Sequence, residues 1–157
     1  MKRFAFTMIE LVFVIVVLGI LAAIAIPRLA ATRDDAQVAK GRSDVSAIRA
    51  AIVSERQARL LQGQYTYITK LDHLGATSVD GDVLFDNNGS ASSTLLQYGI
   101  ASGSTNGHWK KTAANTYTYQ VLSNPVTFTY YPVINGTHQA GTFDCIHTNA
   151  NCKILTE

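Results

Sequence analysis

Charged residues are scarce in this chain: they make up 15% of its 157 positions, with 13 basic and 11 acidic side chains. That low charge excludes both a highly charged disordered segment and a strongly basic nucleic-acid binder, so no nucleic-acid partner is expected. Proline and glycine are also few, 3 and 11 against 47% apolar residues, which rules out collagenous and low-complexity classes. Catalytic signatures are missing as well. There is no G-x-S-x-G, no H-E-x-x-H and no G-x-x-x-x-G-K-[ST], and the 4 histidines are scattered. Neither an enzyme nor a cofactor is expected, and no internal repeat is found.

What the chain does have is an apolar run from Leu11 to Ile26, with no charge and no hydroxyl. At ~1.5 Å per residue this run falls short of a hydrocarbon core of ~30 Å. Extending the helix back to Phe6 makes up the length but brings in Glu10. An acid inside a membrane segment is costly and is read as functional by default. Lys2 and Arg3 precede the run, so the positive-inside rule places the N-terminus in the cytoplasm and the chain beyond Pro27 outside it. Without Lys2 and Arg3 the basic and acidic side chains balance at 11 each. The rival is a cleaved secretory signal peptide with Ala23-Ile24-Ala25 as its small-x-small site, but helical patterning continues past that point.

Residues 28–62 are rich in Ala and charged helix formers and contain no Pro. Leu29, Ala36, Val45, Ile48 and Ile52 can line one side, which predicts an amphipathic helix continuous from Phe6 to about Gln62 and interrupted only by Pro27 and Gly41. From 64 to 112 the pattern is weak and reads as loops with one short strand. From Thr116 the period changes to two. Tyr117, Tyr119 and Val121 alternate with polar neighbours, then Val126, Phe128 and Tyr130 do the same, with Ser123-Asn124-Pro125 as the turn between them. Asn135-Gly136 is a hairpin signal and Gly141–Ile146 a third strand. A long helix followed by an antiparallel sheet is an α+β arrangement, with the sheet covering the C-terminal half of the helix.

Phe6-Thr7-Met8-Ile9-Glu10-Leu11-Val12, preceded by a short basic leader, resembles the N-terminal processing and assembly motif of type IV pilins and type II secretion pseudopilins. Phe6 matches the aromatic first mature residue, Glu10 the acid at the fifth mature position, and Gly19 and Pro27 stand where many family members have Gly and Pro. The resemblance implies a pilin-like fold and cleavage by a prepilin peptidase between Ala5 and Phe6. It further implies methylation of the Phe6 amine and assembly with copies of the chain and other pilin-like subunits on an inner-membrane platform. The leader ends in Ala5 where the family usually has Gly, and the Trp-Gly-containing sequence that major secretion pseudopilins often carry near the C-terminus is absent. The implied organisation is a leader (1–5), a membrane and filament-core helix (6–26), its amphipathic continuation (27–62), a variable loop region (63–115) and an antiparallel sheet with a C-terminal disulfide loop (116–157). The implied role is a structural subunit of a type II secretion filament. The alternatives are a type IV pilin for adhesion, motility or DNA uptake, and a membrane-anchored binding domain that does not polymerise.

Cys145 and Cys152 are the only cysteines. On the outer side of a membrane an even count reads as one disulfide, worth ~2 to 3 kcal/mol by loop entropy, and this resembles the disulfide-closed C-terminal region of many pilins. The rival is a zinc site made of His138, Cys145, His147 and Cys152, which lack an established finger spacing. Asp80, Asp82 and Asp86 are candidates for calcium, although Leu84 stands where an EF-hand wants an oxygen. Trp109-Lys110-Lys111 reads as a strand edge rather than a nucleic-acid contact. Asn88-Gly89-Ser90 and Asn135-Gly136-Thr137 match glycosylation sequons in turn-like composition.

Overall fold

A computed structural model describes residues 6–86, 95–121 and 124–157. The leader, Ala5 included, and the sequon at Asn88 lie outside them. Helix α1 runs Met8–Leu61, 54 residues, and continues through Pro27 and Gly41. Pro27 has no N–H to give the carbonyl of Ala23, four residues earlier, so one rung of the helix is missing there. The chain divides into two compact units, one ending at Ala36 and the other running Gln37–Glu157.

In the first unit Thr7 caps α1. Its hydroxyl and its carbonyl both accept from Glu10 N–H, at 3.3 and 3.1 Å, and its O–H donates to Glu10 Oε2 at 3.5 Å. Thr7-Met8-Ile9-Glu10 thus follows the sequence of a capping box, a purely local use of the acid that the patterning above did not single out. The large apolar side chains from Phe6 to Leu29 are all exposed. Leu29 and Ala36, expected on the packed face, are exposed too, and the buried stripe begins later.

In the second unit that stripe is Gly41, Val45, Ile48 and Ile52, spaced at three and four residues. Gly63, at φ +76°, ends the helix: Gly63 N–H donates to Leu60 O at 3.0 Å and Gln64 N–H to Arg59 O at 2.9 Å, the paired bonds of a Schellman stop. A two-stranded ribbon follows, β1 Val83–Leu84 against β2 Ile100–Ala101. The main sheet is antiparallel in the order β3 (Trp109–Ala113), β4 (Thr116–Val121), β5 (Asn124–Tyr131), β6 (Thr142–Cys145). A short helix, α2 (Ala150–Thr156), closes the chain.

The alternation read in β4 and β5 holds in register. Tyr117 stands opposite Phe128 and Tyr119 opposite Val126, and the inward residues are buried while Thr127 is exposed. Trp109, Tyr117, Tyr119, Phe128 and Phe143 form an aromatic core over the α1 stripe, joined by Phe85, whose ring lies 4.6 Å from that of Tyr117. Phe85 delivers that ring from a left-handed backbone at φ 58°, a sparsely populated conformation for a bulky residue.

Two sequence expectations need correcting. The stretch 64–112, expected to be loops with one short strand, holds β1, β2 and most of β3. In β3 the alternation is disguised because Lys111, a charged residue, occupies an inward position beside Trp109 and is buried. Second, Asn124 and Pro125 belong to β5 rather than to a turn, since Val121 pairs with Asn124 and Gln120 with Pro125. Pro125 is tolerated because β5 alternates its amide direction. Tyr130 N–H points to β4 (Asn115 O, 2.8 Å), so position 125 points the other way, where β6 has already ended with Cys145 opposite Phe128.

Both edges of the main sheet are occupied by the chain's own groups. On the β3 side Ser78 N–H donates to Lys111 O at 3.1 Å, Ser78 Oγ accepts from Lys111 N–H at 2.9 Å, and Gly103 N–H donates to Trp109 O at 2.9 Å. On the β6 side Arg49 Nε donates to Phe143 O at 3.0 Å, and Cys145 N–H is turned to Asp144 Oδ1 at 2.9 Å.

Candidate functional site

The segment the sequence singles out, Phe6 to Pro27, is helical from Met8, and its most apolar 18 residues have a mean hydropathy of 3.1, with none of them buried. It is long and apolar enough to cross a membrane. At ~25 cal/mol per Å² of apolar surface, leaving so many large side chains in water is strongly unfavourable, so the segment requires lipid or protein around it. Glu10 is the one acid in it, and the Thr7 cap holds it. Among the described residues a Cβ on Gly19 would meet nothing within 4 Å.

The second unit is fastened at several points. Cys145 and Cys152 form a disulfide with their Cα atoms 5.9 Å apart, which ties α2 to the end of β6 and excludes the zinc set, whose two thiolates are consumed. Arg42 Nε donates to Ile154 O, linking α1 to α2. Arg49 Nη2 meets Asp144 Oδ1 at 2.9 Å, and His147 Nε2 lies 3.1 Å from Asp144 Oδ2. His138 is held elsewhere, its ring stacked on Tyr131 at 4.2 Å.

The calcium candidates are not brought together. Asp80 accepts from Ser104 Oγ at 2.7 Å and Lys110 Nζ at 3.3 Å, and Ser104 above all holds its carboxyl below the usual range. Asp82 accepts from Val79 N–H at 2.7 Å, and Asp86 Oδ2 lies 2.7 Å from His73 Nδ1. Among the described residues no cluster of three His, Cys, Asp or Glu is arranged to hold a metal ion. Trp109 and Lys111 of the basic-aromatic motif point inward, which leaves Lys110 on the surface beside Asp80. Asn135 and His138 pair around Gly136 at φ +58°, so the second sequon sits on a tight turn.

Sequence reading missed one cluster altogether. Lys111 Nζ lies 2.6 Å from Asp72 Oδ1 with both side chains fully buried, and Tyr117 O–H donates to Asp72 Oδ2 at 2.6 Å. Leu74 N–H donates to Asp72 Oδ1 at 3.0 Å. Burial first, and then the Asp72 charge, push the Tyr117 hydroxyl far above its ordinary range. The only signal available beforehand was that Lys111 falls at an inward position once β3 is aligned with Tyr117 and Tyr119.

A long helix with an apolar first half, whose second half packs against a four-stranded antiparallel sheet, defines a pilin-like α+β protein. The N-terminal third carries a distant homology that agrees. Over 51 residues it is 45% identical to type II secretion system core protein G of Pseudomonas aeruginosa. The match covers 32% of this chain and 36% of that relative, so the likeness is confined to about a third of each. No family model matches the chain, and no solved structure matches it.

Proposed function

We propose that this chain is a structural, non-enzymatic filament subunit of the type II secretion kind. On this reading it is cleaved between Ala5 and Phe6, methylated on the Phe6 amine, and stored in the inner membrane with its C-terminal unit in the periplasm. From there an assembly platform draws it into a helical filament with copies of itself and related subunits. The observation that carries the reading is the exposed apolar helix with Glu10 as its single acid, within the third of the chain that matches the secretion-system relative.

The mechanism follows from that acid. Moving the helix from lipid into a bundle of like helices exchanges one apolar surrounding for another, so insertion is nearly neutral for Leu11 to Ile26. Glu10 is the exception, because an unpaired buried carboxylate is severely unfavourable. The Phe6 amine of a neighbouring subunit, which methylation leaves charged, meets it. Such a pair fixes axial register, the best-attested use of a buried ion pair. Gly19 lets adjacent helices approach closely, and Pro27 frees a backbone carbonyl where α1 leaves the bundle. A type IV pilin would use the same contacts.

A second reading, a membrane anchor that does not polymerise, is favoured by one observation: the Thr7 cap gives Glu10 a local role that needs no partner. Absence of filaments from the overproduced wild-type chain would leave the anchor, and two substitutions in the same full chain test the register pair. Glu10→Gln keeps a side chain able to complete the cap but removes the charge, whereas Glu10→Leu removes both. We expect both variants to insert in the membrane and neither to form filaments, because the Phe6 amine is left unpaired in an apolar core at ~3 to 5 kcal/mol per subunit. Electron microscopy of sheared filaments beside a membrane-fraction blot reads assembly and insertion separately. Abundant filaments from Glu10→Gln would remove the register pair. A wild-type chain whose mature mass starts at Ile26 would establish a cleaved signal peptide instead.

A further inference from the structure

The cluster of Lys111, Asp72 and Tyr117 has no part in the filament mechanism, and its chemistry is unusual for a buried ion pair. A lysine ammonium has three protons to place, and among the described residues the acceptors around Lys111 Nζ are Asp72 Oδ1 at 2.6 Å and Leu74 O at a stretched 3.4 Å. The Tyr117 ring lies 5.7 Å away from it. Both charged side chains have zero exposure. Away from water, an amine nitrogen and a carboxyl group are thus held in direct contact at 2.6 Å. Those are the two reactants of an amide.

We propose that Lys111 and Asp72 form an intramolecular isopeptide bond, making this pair a self-modification site that cross-links the loop after α1 to the edge strand β3. Nζ already touches the carboxyl group, and the groups needed for reaction are in place around it. Leu74 N–H, on Oδ1, stabilises the oxygen that remains as the amide carbonyl. Tyr117 O–H, on Oδ2, donates to the oxygen that departs. The nitrogen bonds to Cγ, the bond from Cγ to Oδ2 breaks, and the two protons shed by the ammonium balance the departing oxygen as one water. Both protons of that water come from the ammonium, and Tyr117 keeps its own, holding Oδ2 by its hydrogen bond alone. No oxidant, metal or external co-reactant enters. The product carries one N–H, and Leu74 O is its acceptor, which removes the shortage of partners that the ammonium faces. Enclosure by the aromatic core then shields the amide from hydrolysis.

The bond would join positions 39 apart in sequence and hold β3 at its outer edge, where the strand otherwise relies on Ser78, Ser102 and Gly103. The disulfide at Cys145 and Cys152 fastens the opposite end of the same sheet, so the two covalent ties would bracket β3 to β6.

Peptide mass spectrometry of the wild-type full chain, extracted in detergent and digested with trypsin under reducing conditions, tests this directly. The expected result is a branched peptide joining Asp72 to Lys111, one water lighter than the sum of its parts, with no cleavage after Lys111. Lys111→Met should abolish the branched species. Tyr117→Phe should leave a fraction of chains unbonded that the wild type lacks, and complete bonding in Tyr117→Phe would remove the role given to that hydroxyl. Separate wild-type peptides carrying an unmodified Asp72 and a trypsin-cleavable Lys111 would overturn the proposal and leave an ion pair only. That measurement needs no variant to fold and does not depend on whether the chain forms filaments.

Discussion

Trp109 Nε1 donates to Asp44 Oδ2 at 3.0 Å, joining the edge strand β3 to the middle of α1. Burial pushes the Asp44 carboxyl up, and the indole N–H opposes that shift, with Lys40 assisting. Trp109→Phe would keep most of the apolar volume and take away the donor. The carboxylate then stands half-buried without it, and we expect a loss of ~1 to 3 kcal/mol at neutral pH by urea denaturation. Adding Asp44→Asn to that background should recover part of the loss, because the charge that lacks a donor is gone.

Gly41 marks a second close approach. A Cβ there would lie 2.5 Å from Tyr119 Cε1 and 2.7 Å from Leu155 Cδ2. The Tyr119 ring cannot easily yield, since its hydroxyl is tied to Gln37 O at 2.7 Å. Replacing glycine by alanine ordinarily favours a helix by ~1 kcal/mol, and overpacking costs ~1 to 3 kcal/mol. We expect Gly41→Ala to be destabilising on balance, with a lower thermal midpoint, whereas Gly19→Ala leaves that midpoint unchanged.

Alkaline pH should open the second unit cooperatively. Burial raises the hydroxyls of Tyr117, Tyr119 and Tyr130 above their ordinary 10, Tyr119 to about 12 and the other two further. A raised folded value means that the folded state holds the proton when the unfolded chain has lost it. The stability gained this way is full below pH 10 and declines as pH rises through 10 and past 12. Ultraviolet titration followed together with circular dichroism should therefore show these phenols ionising as the fold opens, not before. Smooth ionisation of all tyrosines with the dichroism intact would contradict it.

How much could be read in advance varied with the signal. The long helix was legible because Val45, Ile48 and Ile52 repeat at helical spacing in a stretch rich in Ala and free of Pro. Strands β4 and β5 were legible because their alternation is clean. β3 was hidden by the buried charge of Lys111, and Asp72, its partner, lies in a stretch with no periodicity to place it. Cys145 and Cys152 could be paired because they are the only two. The capping partnership of Thr7 with Glu10 was visible as a four-residue pattern, yet the apolar surroundings drew attention to the acid alone. Leu29 and Ala36 fit the helical spacing but are exposed, and spacing alone cannot say where burial begins.

The occupied edges of the main sheet bear on crowding. A strand with unused backbone groups recruits other chains into cross-β aggregates, a hazard that rises with local concentration. Here Ser78 and Gly103 guard one flank and the Arg49 side chain the other. Crowding alone therefore finds few open backbone groups on this sheet from which amyloid-like growth could be seeded.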